Sequence, residues 1–446
     1  MDVEAAAVQA PARRGRRWTY AALACWWFAV EAWFQGPLLG GRVRPWAGAW
    51  VLLAALIGLG VRAVRGGRLR ASPFAFAVAG MLAVATLVRL PALRAPGSLI
   101  SSDSAVAGII AQEIRAQRSP GPIYAPGFPY EGTLKPHLTA LLAWGWPSAG
   151  TPLLYILASH LFFLAWIAAA MILARPVGGL PAALGAGAFL AVSPRFLAAF
   201  SLNNVGQYPE VNALGAAGLA ALAAGGGPLG AGFLLGLALW QQLVAVSFVA
   251  VLAVALAATA EWRRPRALAA AACGLALGAY PMWVWNAAHG WATFDFFRRG
   301  GKNPLERFFG VPERLERTVS ISFPKLFGLT DLGLAHATAA ALGLLLPALV
   351  VAMAWARRRE LAREGGRSAV FLAALLFAVT LGVFVVSKFS HRGVQRPRYL
   401  IPLYTPVAIA VGWSAAALAR RSRPLAGAAL GGLLLVNGAG LVPWLR

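Results

Sequence analysis

The stretch SPFAFAVAGMLAVATLVRLPALRAPGSLISSDSAVAGIIAQEI, residues 72–114, decides how the chain is read. Its first part is apolar for about twenty residues, long enough to cross a bilayer core of about 30 Å. It then turns abruptly polar at Ser101, Ser102 and Asp103. Two apolar segments precede it, over 18–35 and 46–64, and the turn VRAVRGGRLR joins the second to the third. That turn and the N-terminal ARRGRRWTY are rich in arginine, which marks both as cytoplasmic by the positive-inside rule. The third segment, 72–93, therefore exits on the far side, and Asp103 emerges outside the cytoplasm.

The rest of the 446 residues repeats this pattern: 59% are hydrophobic and 12% charged, about half the charged fraction of a soluble protein. Further apolar helices are predicted over 151–173, 180–194, 209–224, 229–241, 243–260, 267–287, 334–355, 369–387, 399–419 and 425–445. The basic turns EWRRPR, ARRRELAREGGR and ARRSR then all fall on the cytoplasmic side. The expectation is a single all-α domain over 1–446, a polytopic bundle of about thirteen helices. Residues 18–93 form its N-terminal helices, 94–150 a catalytic outer loop with interfacial helices, and 151–446 the remaining helices and outer loops. The first helix carries Glu31 and no clear cleavage site, so it reads as an uncleaved anchor. The net charge of +25 sits in short clusters between apolar spans, which excludes a nucleic-acid surface. Cys25 and Cys273 lie inside predicted helices and offer no disulfide framework. No internal repeat is visible.

The larger outer loops, 94–150, 195–208, 289–333 and 388–398, hold all four lysines and every aspartate except Asp2. After Asp103, apolar Val106, Ile109, Ile110 and Ile114 recur at helical spacing, as in an interfacial amphipathic helix. Ser101, Ser102 and Asp103 are all capping types; the functional alternative has Ser102 cap while Asp103 acts as a general base. RSPGPIYAPGFPY breaks regular structure, and EGTLKPHLTALLAWGW follows. There Lys135 is either a snorkelling side chain or a point charge for a phosphate. Glu131 and His137 flank it as proton carriers or metal ligands, without a metal-binding spacing. In the second loop, Asn203, Asn204, Gln207, Tyr208 and Glu210 make either a polar turn or a set of groups for sugar hydroxyls. The last loop carries Lys388, His391, Arg392, Arg396 and Arg398 against the usual charge bias. This suits an anionic lipid headgroup, which arginine clamps with paired hydrogen bonds.

The ordered set SDSAVAGIIAQEI, EGTLKPHLTALL, AALGAGAFLAVSP, GLALGAYPMWVWNAAHG and RPRYLIPLYTPVAIAVG resembles the GT-C superfamily of membrane glycosyltransferases over residues 72–420. The nearest likeness is to family 39-like bacterial members, relatives of protein O-mannosyltransferases and of the lipid A aminoarabinose transferase. The resemblance implies catalysis by Asp103, contact of Lys135 with a lipid phosphate, and Arg398 and Tyr399 lining the same phosphate side. Glu210 fits best as the second carboxylate. Many relatives carry Asp-Glu at the first motif where this chain has Asp103-Ser104, which leaves Glu131 or Glu210 to substitute. The implied reaction moves a sugar, with inversion, from a polyprenyl-phosphate donor to a lipid, glycan or protein acceptor on the non-cytoplasmic face of a bacterial-type inner membrane. No cofactor is required, a divalent metal is compatible, and no nucleotide-binding element is visible. A transporter or flippase of lipid-linked sugar, an O-antigen ligase or polymerase, and a purely structural membrane protein are the rival readings. A transporter keeps its polar groups at the bilayer midplane, often within repeats; here they sit in the loops.

Overall fold

The computed structural model describes residues 21–39, 42–44, 47, 51, 72–116, 121–202, 206–260, 263–299, 310–387 and 397–445. Most of them are helical. The described residues contain one isolated antiparallel bridge, Tyr124 to Gly132, and no strand. The principal helices are α1 (Ala21–Trp33), α2 (Pro73–Arg94), α3 (Ser102–Arg115), α4 (Leu134–Gly145), α5 (Thr151–Ala191), α6 (Tyr208–Ala223), α7 (Pro228–Gln241) and α8 (Val246–Ala258). They continue with α9 (Pro265–Gly278), α10 (Tyr280–Ala288), α11 (Ala292–Arg299), α12 (His336–Ala356), α13 (Ala369–Val386), α14 (Pro397–Arg421) and α15 (Arg423–Leu445).

Six of these are long and apolar enough to cross a membrane, or seven if the bent pair α9–α10 counts as one span. The chain is thus an integral multi-pass membrane protein with an all-α fold. The expected count of about thirteen is not reached among the described residues. Helices α6, α7 and α8 have 16, 14 and 13 residues, and at about 1.5 Å per residue they fall short of a full bilayer core. The predicted helix 46–64 lies outside the described residues except at positions 47 and 51.

Helix α5 is not a single rod. Gly178 and Gly179 leave helical backbone, and a side chain on Gly187 would collide with Met171. A straight helix would hold those two residues about 24 Å apart, so the chain doubles back here into arms 151–177 and 180–191. This reproduces the two segments expected from the sequence. The second arm packs on α14 through Gly185 and Gly412, where a Cβ on Gly412 would overlap the Ala182 carbonyl. Helices α7 and α9 meet in the same way: Gly232 and Gly236 face Gly274 and Gly278, with backbone in the place of side chains. Small residues of this kind let helices approach where no hydrophobic effect drives them together.

Among the buried charges, Arg89 and Glu31 are held by hydrogen bonds to distant segments. Arg89 of α2 donates to Ser201 Oγ (2.6 Å), Ser193 Oγ (2.9 Å) and the carbonyls of Ala85 (3.2 Å) and Ala191 (2.9 Å), with its guanidinium 4.1 Å from the Phe163 ring centroid. Glu31 accepts from the backbone N–H of Leu38 (3.0 Å) and Leu39 (2.9 Å) and from Tyr280 OH (2.5 Å). Both tie distant segments together and are structural.

Candidate functional site

One end of the bundle collects the polar side chains. The beginnings of α5, α6 and α14 and the ends of α2 and α7 meet there, under the α3–α4 pair. Helix α3 starts at Ser101, whose Oγ accepts from Ser104 N at 3.3 Å. The cap is therefore Ser101 and not Ser102, which lies inside the helix. Asp103 sits in the first turn, half-buried, with Ser102 Oγ–H at 3.4 Å. It is free of capping duty.

The segment between α3 and α4 is strapped to the end of α7. Gly132 N donates to Gln241 O (3.0 Å), Leu134 N to Gln241 Oε1 (3.2 Å) and Trp240 Nε1 to Ile123 O (3.1 Å). Thr133 Oγ1 donates to Pro122 O (2.6 Å), and Thr293 Oγ1 holds Pro129 O from the other side. Gly132 has no room for a side chain, because a Cβ there would lie 2.7 Å from Trp240 O and from Gln241 Nε2. Glu131 is consequently fixed by its neighbours' backbone.

Burial, and then the nearby charge of Asp103, push the Glu131 carboxyl up to about 7, while Lys135 and Arg398 pull it back down. Burial likewise raises the adjacent Tyr130 phenol to about 12, helped by Glu131, with Tyr399, Arg398 and Asp103 also in range. Asp103, Tyr130, Glu131, Lys135, Arg398 and Tyr399 thus share one electrostatic neighbourhood. Lys135 is fully buried, its Nζ 2.8 Å from Glu210 Oε1 and 5.5 Å from the Tyr155 ring centroid. Burial holds its ammonium well below the usual lysine range, with Glu131 acting in the opposite sense. The two residues read separately from the sequence as phosphate ligand and second carboxylate are therefore each other's partner. Arg398 packs its guanidinium 5.5 Å from the Tyr399 ring centroid, and its buried Nε has no hydrogen-bond partner. Tyr208 is fully buried against Phe200, ring centroids 5.6 Å apart, and lies within electrostatic range of Arg398 and Glu131. Gln207, immediately before it, has left-handed backbone, φ 54°, ψ 27°.

His137 is on the far side of α4. Its Nε2 accepts from Trp33 Nε1–H at 2.7 Å, so its Nδ1 carries the proton given to Thr133 O at 2.6 Å. Both ring nitrogens of His137, the residue offered by the sequence as a proton carrier, metal ligand or substrate contact, are engaged in anchoring α1 and α4. Asn203, Asn204 and Arg396 lie outside the described residues. Among the described residues no three of His, Cys, Asp and Glu gather as metal ligands. Sequence reasoning passes over Tyr155, Gln241 and Gln242, which are buried beside the Lys135–Glu210 pair and the Gly206 turn. Paired glutamines closing an apolar helix are the available signal, since polar groups at membrane depth usually have a task.

The arrangement sets two carboxylates, one half-buried and one titrating near neutrality, beside an arginine and a buried lysine. Such a site can take a proton from a hydroxyl and hold an anionic leaving group.

No family model matches the sequence, and no curated protein matches it. Among solved structures the chain is similar to ArnT from Cupriavidus metallidurans in the apo state, at 16% identity and TM-score 0.51, covering 71% of this chain and 55% of that one. It is also similar to ArnT from the same organism bound to undecaprenyl phosphate, at 16% identity and TM-score 0.55, covering 80% of this chain and 61% of that one. The chain thus spans less than two thirds of the length of the ArnT chains it matches. The polytopic all-α architecture expected from the sequence is borne out as a likeness of fold to ArnT.

Proposed function

We propose that this protein transfers a sugar from a polyprenyl-phosphate donor to a hydroxyl-bearing acceptor at the non-cytoplasmic face of a bacterial-type inner membrane, with its N-terminus in the cytoplasm. The observation that carries the reading is the convergence of Asp103, Glu131, Lys135, Glu210 and Arg398 at one end of an ArnT-like bundle. That one ArnT structure holds undecaprenyl phosphate supports the lipid class of the donor.

In this reading the acceptor oxygen attacks the anomeric carbon opposite the phosphate and Asp103 takes the acceptor's proton. The bond from the anomeric carbon to the phosphate oxygen breaks, its electron pair stays on the phosphate, and the configuration inverts. Arg398, with an uncommitted Nε, meets the growing charge on the phosphate, and Lys135, buried against Glu210, adds only its more distant field, the kind of preorganised electrostatics that often dominates catalysis. Glu131 sets the local field at Asp103 and supplies the carboxylate that Ser104 does not. Glu210 holds Lys135 in place.

The test is transfer by the full-length protein in nanodiscs with a decaprenyl-phosphate hexose, read as release of decaprenyl phosphate. Asp103→Asn is expected to lower turnover by about 10²–10⁴-fold, the usual worth of a general base, with unfolding temperature unchanged. Full activity in that variant removes Asp103 from the mechanism. Movement of the lipid-linked sugar across vesicles without any transfer product would favour a flippase instead.

A further inference from the structure

We infer that Tyr155, Gln207, Glu210, Gln241 and Gln242 form a buried subsite for the hydroxyl groups of a sugar ring. The inference rests on the proposed transferase reading and deepens it by naming what the inner part of the site recognises. All five side chains are at least nine-tenths buried: 1%, 2%, 0%, 0% and 6% exposed in that order. Each nevertheless carries a polar atom with no hydrogen-bond partner: Tyr155 OH, Gln207 Oε1, Glu210 Oε2, Gln241 Nε2 and Gln242 Oε1. Buried polar atoms are nearly always paired, so five orphans on neighbouring residues call for an explanation.

Their adjacency is fixed by contacts already described. Glu210 and the Tyr155 ring both face Lys135 Nζ, and Gln241 bonds the backbone of Leu134, the residue before Lys135. Gln242 follows Gln241 and abuts Gly206, where a Cβ would lie 3.0 Å from its Nε2. Gln207 follows Gly206. A glutamine held with φ 54° is a strained arrangement of the kind that clusters at ligand sites.

The orphan atoms identify the chemistry. Three of the five are acceptor oxygens, one of them on a carboxylate, so a phosphate is repelled. A hydrocarbon would leave all five unpaired. A hydroxyl both gives and accepts, and vicinal hydroxyls on one ring match a mixed set held at fixed spacing. Because Glu210 is paired with Lys135, the subsite is near neutral and suits a neutral polyol. It lies deeper than half-buried Asp103, which places the donor's sugar inside and the acceptor outside.

The experiment is equilibrium binding to the full-length protein in nanodiscs, using decaprenyl phosphate, decaprenyl-phosphate hexoses and methyl hexosides as probes. Wild type is expected to prefer the sugar-bearing lipid. Gln242→Leu should cut that preference on the order of tenfold, as expected when a site built to bond a hydroxyl loses a partner, while binding of bare decaprenyl phosphate stays unchanged. Gln207→Gly relieves the backbone strain and should cut the preference while raising the unfolding temperature, so it decides the matter if Gln242→Leu misfolds. Loss of methyl hexoside binding with the lipid preference intact keeps the hydroxyl subsite and assigns it to the acceptor's sugar. An unchanged preference and unchanged hexoside binding in both variants overturn the subsite, leaving the orphans to water. Binding of neither decaprenyl lipid by wild type overturns the transferase reading itself, and the subsite with it.

Discussion

Glu131 stands near its own titration midpoint at neutral pH, and the consequence for stability has a definite sign. In the unfolded chain the carboxyl ionises near 4.5, whereas in the fold it keeps its proton up to about 7. Between those values the folded state binds more protons, so stability falls as pH rises through that window. Glu131→Gln is expected to flatten this part of a plot of unfolding temperature against pH; a plot identical to wild type would show that the carboxyl is not held up. The buried Lys135–Glu210 pair gives a second expectation. Lys135→Met strands a carboxylate in the core and should cost about 3–5 kcal/mol, and adding Glu210→Gln should recover most of it. Recovery of stability without recovery of transfer would separate the pair's structural part from its catalytic one. These residues are legible because Asp103, Glu131, Lys135 and Glu210 are carboxylates and an amine in a chain with only 15 acidic residues. Their pairing is not legible, since Lys135 and Glu210 stand far apart in sequence. Nor is the choice of cap between Ser101 and Ser102, because both are good capping types and only backbone angles separate them.

At the scale of elements, the ends of helices carry the site, and the glycine contacts fix where those ends fall. Helix α7 delivers Gln241 to the Glu131 loop only while Gly236 and Gly278 keep it close to α9. Gly278→Leu would drive a side chain into the Phe233 carbonyl and is expected to destabilise by about 1–3 kcal/mol. Transfer should fall more steeply than stability does, which parallel melting and turnover measurements would check. Apolar periodicity and arginine turns locate the long apolar helices, including the break at 173–180 that becomes the α5 hairpin, but not short helices such as α11 inside the segments read as loops. They place α6 and α7 within a residue or two of where they lie, but they run the next helix over 243–260, where α8 spans only Val246–Ala258, because hydropathy registers where a segment is apolar and not where helical backbone stops. They do not mark the strap of the 121–133 segment on α7, which is made by backbone groups that carry no sequence signature.

For the whole molecule, the proposed orientation, with the arginine turns inside and the polar end outside the cytoplasm, can be tested directly. With Cys25 and Cys273 replaced by serine, Arg298→Cys on exposed α11 (74% exposed) should react with a membrane-impermeant thiol reagent applied outside intact cells. Labelling only after the cytoplasm is opened would invert the orientation. The buried guanidinium of Arg89 bears on how the molecule is made. Its downstream partners lie 102, 104 and 112 residues further along the chain, so a ribosome needs roughly 5–20 seconds to supply them. Throughout that interval α2 carries an unsatisfied cation, worth about 2.5–3.5 kcal/mol against insertion at a helix centre and less towards its end. Helix α2 therefore reaches its final seat only after the arm 180–191 and the turn behind it have been translated. Nascent chains stalled before Ser201 should be caught with α2 still beside the insertion machinery.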